Sequence, residues 1–216
     1  MKTAEKILLI SLDLFNSQGE RNITSVDIAN ELDISPGNLY YHYKGKDEIV
    51  NALVDSYVAK MNAIPQSSGG QSSQKNEDFY KYLFYCLETM HLFRFLFQNI
   101  AEISTQYPAI NSKLQKLAKF QRQYLRKSLT EQQQDASLKG TSTDIDLLLD
   151  IISLTLFQSF NYYQMQGESL GNPDIVYRTL MTIYFSLQPY YQEGGETAKI
   201  KLAILNKTLI NREVRT

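Results

Sequence analysis

The 216-residue chain has one cysteine, five prolines, no tryptophan and no long run of apolar residues. The single cysteine, Cys86, excludes an intramolecular disulfide framework and a zinc site built on several thiolates. Charges at Asp13 and Glu20 interrupt the N-terminal apolar pattern, so we expect no signal peptide. No apolar stretch approaches the roughly 18 residues of a membrane span. We therefore expect a soluble, cytoplasmic protein that has no membrane partner.

No charge sign dominates, since 22 basic side chains face 23 acidic ones and the formal net charge is -1. Taken alone, this balance argues against a nucleic-acid partner, because a basic surface is the usual electrostatic signature of one. The charges are unevenly distributed, however. The first fifty residues hold five basic and eight acidic side chains, whereas residues 34–46 hold two lysines and no acid. This local excess of positive charge permits DNA contact but predicts weak non-specific binding.

The chain carries no recognisable metal motif, phosphate-binding loop or nucleophile elbow. Its two histidines have no acid and nucleophile in a suitable sequence context. We therefore predict no catalytic residues, no metal site and no cofactor. The protein is not expected to be an enzyme.

Apolar residues recur mainly at helical spacing, and no segment shows the sustained alternation of a strand, which predicts an all-α fold. A small three-helix unit at the N-terminus is expected to precede a larger helical domain. Residues 66–76 contain no apolar side chain and predict a flexible loop, with Pro65 ending the helix before it at about Ala63. The later helices are predicted at about 77–91, 92–106, 109–133, 143–166, 174–188 and 196–213.

Residues 25–43 have the pattern of a helix-turn-helix. Small Ala29 allows two helices to cross closely, and Leu39 is placed to anchor the second helix on the first. The turn position, Asp33, is one of the few non-glycine residue types that tolerate a left-handed backbone. The same pattern is also a common way to build a small core without binding DNA. In a DNA-binding protein the outward residues at the start of the second helix would face the major groove, and here they are Pro36, Gly37, Asn38, Tyr40 and Tyr41.

Residues 7–50 closely resemble the DNA-binding domain of the TetR/AcrR family of bacterial transcriptional repressors, most specifically in the run LYYHYKGKDEI at 39–49. The resemblance implies a helix-turn-helix domain at 1–46 and a helical ligand-binding and dimerisation domain at 47–216. It places Pro36, Asn38 and Tyr40 against bases. It also places five residues on or near phosphates, namely Thr24, Ser25, Tyr41, His42 and Lys46. The sequence departs from the family pattern at Asp33, where glycine is usual, and at Val26, where some members carry a base-reading side chain.

Eight aromatic residues lie between Phe79 and Phe97, and more follow in the later helices. They exceed what one helical face can hold, so they form either an aromatic-rich core or the lining of a lipophilic pocket. The resemblance favours a pocket for a small apolar or amphipathic effector. The candidate ligand-binding residues are Tyr82, Tyr85, Met90, Phe93, Phe97, Phe120, Tyr124, Phe157, Phe160 and Gln164. Cys86 lies in the same stretch. It is either a redox sensor or, as is more common for a lone cysteine among aromatic residues, an inert small hydrophobic side chain.

The helices predicted at about 143–166 and 174–188 are apolar over more than one face, which indicates a partner subunit. The resemblance implies a homodimer through this pair. The sequence therefore predicts a homodimeric transcriptional regulator, a repressor that an effector releases from a palindromic double-stranded DNA operator. The alternative is a helical carrier of hydrophobic molecules whose N-terminal unit has no role in DNA binding.

Overall fold

The computed structural model describes residues 2–68, 75–98 and 100–191. Regular secondary structure within these ranges is helical, which confirms the predicted all-α fold. Two short 3₁₀ turns lie at Glu20–Asn22 and Gln188–Tyr190. The α-helices are α1 (Thr3–Gln18), α2 (Ser25–Glu31), α3 (Pro36–His42), α4 (Lys46–Ser68), α5 (Lys75–Leu92), α6 (Phe95–Gln98), α7 (Ile100–Gln106), α8 (Pro108–Gln134), α9 (Ser142–Met165) and α10 (Asp174–Leu187).

The N-terminal helices begin and end at residues suited to those positions. Gly19 ends α1 with a φ of 85°, and its N–H donates to the carbonyl of Phe15. Thr24 and Asp27 form a capping box at the start of α2, since each side chain accepts a hydrogen bond from the other's backbone N–H. Ser35 caps α3 and Pro36 occupies its first turn. These local signals set where α1 ends and where α2 and α3 begin, and they do not depend on tertiary contacts.

Helix α4 is longer than predicted, because it continues through Pro65 to Ser68. A proline within a helix removes one backbone donor, and Pro65 lies in the last turn of α4, three residues before its end. The expectation of a loop over 66–76 was therefore wrong at both ends. Residues 66–68 belong to α4 and residues 75–76 to α5, while 69–74 lie outside the described residues.

The single helix predicted at 92–106 is instead a turn at Phe93–Arg94 followed by α6 and α7. The turn places the backbone N–H of Phe95 against the side-chain oxygen of Asn16, at 3.0 Å. This contact between distant parts of the chain replaces a helical hydrogen bond, so helical periodicity alone could not reveal the break.

Helix α5 is central, since it packs against α4, α8 and α10. Helix α9 packs against α6, α8 and α10. The apolar core runs without interruption from α1 to α10. Among the described residues, no helix is both long and apolar enough to cross a bilayer. The helix predicted at 196–213 lies outside the described residues.

Candidate nucleic-acid interface and internal cavity

The turn between α2 and α3 has the predicted left-handed residue. Asp33 has a φ of 52°, and the next residue, Ile34, donates its backbone N–H to the carbonyl of Ala29 at 3.0 Å. Ala29 is fully buried and Leu39 of α3 is 1% exposed, so the two helices cross on these side chains. The crossing sets which side of α3 faces outward.

The outward side of α3 forms a continuous polar and aromatic surface, which we name the recognition face. It consists of Pro36, Gly37, Asn38, Tyr40 and Tyr41, all exposed. Tyr40 is 57% exposed and Tyr41 is 78% exposed, values unusual for large aromatic side chains that serve packing. An amide and two phenols can donate and accept hydrogen bonds at base edges and phosphates. The structure thus places the predicted base-contacting residues together on one face.

Lys44 adds positive charge beside the recognition face. Its ammonium lies 5.0 Å from the centre of the Tyr40 ring and donates to the Tyr40 carbonyl at 3.4 Å. Gly37 has no positive φ, and a methyl group added there would make only an ordinary contact, 3.9 Å from the Ser35 hydroxyl. The fold itself does not require glycine at this position. Its lack of a side chain would instead favour close approach of a ligand backbone.

The residues predicted near phosphates have different environments. Thr24 is exposed, and its backbone N–H and hydroxyl donate to the Asp27 carboxylate at 2.8 and 2.6 Å. These hydrogen bonds hold the pKa of Asp27 below its usual range. Ser25 and His42 are half-buried, and the His42 ring packs edge-on against Tyr41. Thr24 and Ser25 lie at the start of α2, and His42 lies at the end of α3, next to Tyr41 of the recognition face.

The Lys46 side chain, predicted to lie on or near a phosphate, has a partner inside the protein. Its ammonium turns inward and lies 2.9 Å from the Glu20 carboxylate and 3.2 Å from the Glu20 carbonyl. The side chain is only 19% exposed. A phosphate near this point would instead meet the free backbone N–H groups at the start of α4.

Glu20 joins the N-terminal unit to the body of the protein. Its buried carboxylate accepts hydrogen bonds from Lys46 and, at 2.7 Å, from the hydroxyl of Tyr107 at the junction of α7 and α8. Burial and the contact with Glu20 raise the pKa of Tyr107, so the phenol remains the proton donor. Glu20, Lys46 and Tyr107 are named the junction cluster below.

A second connection runs through Asn16, which is 8% exposed near the end of α1. Its amide donates to the carbonyl of Leu92 at 2.8 Å and accepts from the backbone N–H of Phe95. An exposed ion pair between Arg21 and Glu102 lies on the same side. The segment 92–107 is therefore fastened to the N-terminal unit at several points along its length.

The same segment lines a cavity of about 240 Å³ that is partly open at the surface and lies between α4, α6, α7, α8 and α9. Aromatic walls are provided by Tyr57, Phe97 and Phe157. The other lining residues are Ile100, Ser104, Asn111, Leu114, Gln115, Leu117, Ala118 and Gln121. A molecule bound here would touch the segment that holds Asn16 and Glu20 in place.

Of the predicted ligand-binding residues, Phe97 and Phe157 line this cavity. Five others pack elsewhere in the core or at its edge: Tyr82, Met90, Phe93, Tyr124 and Phe160. Some of these support the walls, since Phe93 contacts Tyr57 and Phe160 stacks on Phe97 with ring centres 5.5 Å apart.

The remaining three predicted residues, Tyr85, Phe120 and Gln164, lie on the outer surface, which corrects their assignment. Each is next in sequence to a buried residue on the same helix, and successive residues of a helix point about 100° apart. A position in or near an aromatic-rich segment is therefore not enough to predict that a side chain lines the cavity.

Tyr57 and Gln121 also line the cavity, although neither is among the predicted ligand-binding residues. Gln121 had a detectable signal, because it occupies a buried row of α8 between Leu117 and Leu125 at intervals of four residues. A polar side chain in an otherwise apolar row marks a buried polar group. Tyr57 had no such signal, because a tyrosine in an apolar helix is as typical of plain core packing as it is of a cavity wall.

Cys86 is fully buried, and burial raises the pKa of its thiol to about 12. We expect Ellman's reagent to label the native protein at least about 1,000-fold more slowly than a free thiol, because the reactive thiolate is scarce and enclosed. The measurement is the absorbance of the released thiolate over time. In denaturing guanidinium chloride one equivalent should react at once, which serves as the control. Rapid labelling of the native protein would support a redox role instead.

Within the part of the chain that the structure describes, no three histidine, cysteine or acidic residues are grouped as metal ligands. The fold and the exposed helix-turn-helix define a helical DNA-binding protein with a partly open cavity.

Comparison with known proteins gives the family. The family model described as bacterial regulatory proteins, tetR family, matches residues 7–53, and the TetR model described as bacterial transcriptional repressor matches residues 56–198. The chain belongs to the TetR family of bacterial transcriptional regulators. Members of this family are DNA-binding regulators and not enzymes.

The chain is 28% identical to the HTH-type transcriptional regulator QacR of Staphylococcus aureus over 125 residues, which cover 58% of this chain and 66% of QacR. It spans less than two thirds of the length of the curated relatives it matches. Among solved structures, a TetR-family regulator of Marinobacter aquaeolei VT8 matches with a TM-score of 0.78 and 23% identity over 96% of this chain and 99% of that one. A complex of SmeT with triclosan matches with a TM-score of 0.65 and 15% identity over 89% and 93%.

Proposed function

We propose that the protein is a homodimeric repressor that a small ligand releases from a palindromic operator, and that it acts on DNA in the cytoplasm. The observation that carries the proposal is the recognition face, where Asn38, Tyr40 and Tyr41 are exposed while Leu39 of the same helix is buried. The family supports a DNA-bound regulator, and the SmeT–triclosan complex supports a small apolar ligand for this fold. The domain division at residue 46 belongs to the same proposal.

The proposed mechanism is a shift between two packings of the segment 92–107. This segment lines the cavity through Phe97, Ile100 and Ser104 and contacts the N-terminal unit through Asn16 and Glu20. A ligand that favours a different packing would change how the N-terminal unit sits on α4, and hence the spacing of the two recognition helices in a dimer. A coupling of about 1–3 kcal/mol gives a 5- to 150-fold change in operator affinity.

DNA binding is tested by enrichment of genomic DNA fragments on the full-length protein. We expect wild type to enrich a palindromic sequence and Tyr40→Ala to bind it at least about tenfold more weakly, because a lost base contact costs about 1–3 kcal/mol per half-site. The affinity is measured by fluorescence anisotropy, with circular dichroism to show that the variant folds.

Tyr85→Ala is the matched control, since Tyr85 is 47% exposed but lies on α5, away from the recognition face. It should leave DNA binding unchanged. If wild type enriches no sequence, the regulator proposal fails for this chain and the carrier interpretation replaces it.

A further inference from the structure

The wall of the cavity contains a buried, unmatched hydrogen-bond acceptor. Gln121, one of its lining residues, is 6% exposed, and its side-chain oxygen Oε1 has no hydrogen-bond partner. The amide nitrogen of the same side chain is already engaged, because it donates to the Cys86 sulfur at 3.9 Å. A buried acceptor without a donor is unfavourable, so a ligand that supplies a donor gains binding energy that a purely apolar ligand does not.

The other lining residues disfavour a charged ligand. Among the described residues that line the cavity, none is aspartate, glutamate, lysine, arginine or histidine. Moving an ion from water into such a site without an opposite charge carries a large desolvation penalty. The aromatic walls, Tyr57, Phe97 and Phe157, favour a flat aromatic partner.

The volume indicates how large a group the cavity holds. A protein cavity of roughly 150 Å³ holds benzene, and this cavity has about 240 Å³. The extra space accommodates one ring with short substituents.

We propose that the cavity binds an uncharged, single-ring aromatic molecule that donates one hydrogen bond to Oε1 of Gln121, with a substituted phenol as the simplest example. The proposal rests on the proposed ligand-responsive function and specifies its ligand class. The ligand would seat its ring between Tyr57, Phe97 and Phe157 and direct its hydroxyl toward α8.

Isothermal titration calorimetry on the full-length protein tests the proposal with three probes of similar shape: 4-ethylphenol, 4-ethylanisole and 4-ethylbenzoate. We expect the phenol to bind about tenfold more tightly than the anisole, which lacks the donor. The benzoate anion should bind too weakly to detect. Gln121→Met retains the side-chain length without the acceptor, and it should lower the phenol affinity to that of the anisole.

Gln123→Met is the matched control, because Gln123 lies on the exposed side of the same helix. It should bind all three probes as wild type does. Equal affinity of wild type for phenol and anisole, absence of phenol binding, or an unchanged preference in a folded Gln121→Met protein would each overturn the ligand assignment. If Gln121→Met does not fold, the comparison of phenol with anisole on wild type decides.

DNA enrichment by the same preparation separates the two proposals. Operator enrichment without phenol binding overturns the ligand class and leaves the regulator intact. Phenol binding without DNA enrichment refutes the regulator and supports the ligand assignment alone.

Discussion

Replacing Leu154 by glutamate is expected to give a monomeric protein whose operator affinity is about 100- to 10,000-fold lower, because a dimer gains its second half-site at high effective concentration. Leu154 is 65% exposed in the protomer, a high value for a leucine in the middle of a 24-residue helix. It belongs to an exposed apolar row on α9 that comprises Leu147, Ile151, Leu154, Tyr162 and Met165.

This row is distinct from the buried row of the same helix. The buried side chains include Leu149, Ile152 and Leu156, which face the protomer core, so α9 is apolar on two sides. A helix that is apolar all round is typically buried. Helix α10 packs on α9 and exposes Phe185 at 49%. A second copy of this chain is the partner that this proposal assigns to the exposed row.

The oligomeric state is measured by sedimentation velocity and the operator affinity by anisotropy, on an operator taken from the enriched fragments. Leu92→Glu is the control, since Leu92 is 44% exposed on α5 and stands outside the α9 row. That variant should remain dimeric. A Leu154→Glu protein that stays dimeric would show that this row is not the subunit interface.

Replacing Glu20 by leucine is expected to lower the free energy of unfolding by about 3 kcal/mol, because removing one partner of a buried ion pair leaves the other charge unpaired. In the junction cluster, loss of the carboxylate would leave the Lys46 ammonium without its counter-ion and the Tyr107 hydroxyl without its acceptor. The value lies at the low end of the usual range because Lys46 keeps 19% exposure and its bond to the Glu20 carbonyl.

Urea denaturation followed by circular dichroism measures this loss. Arg21→Ala tests the neighbouring exposed ion pair and should cost less than about 1 kcal/mol, since Arg21 is 79% exposed. A Glu20→Leu protein as stable as Arg21→Ala would show that the junction cluster does not fasten the N-terminal unit to the body. We also expect Glu20→Leu to weaken the coupling between ligand and operator, because one of the connections between the N-terminal unit and the segment 92–107 is lost.

The sequence alone determined the local features of this protein. The helix starts at Thr24 and Ser35, the end of α1 at Gly19 and the left-handed turn at Asp33 all depend on short-range hydrogen bonding and steric limits. Such interactions act between residues a few positions apart, so they are readable from spacing. The family resemblance followed from the same short stretch.

Tertiary structure decided the rest, because the deciding contacts join residues far apart in the chain. The break before α6 depends on Asn16, some eighty residues earlier, and the inward turn of Lys46 depends on Glu20. Which aromatics line the cavity depends on how α4, α6, α7, α8 and α9 meet, so Phe97 and Phe157 line it while Phe120 faces outward. Helical periodicity shows that a residue is buried, and only the packing of helices shows what it is buried against.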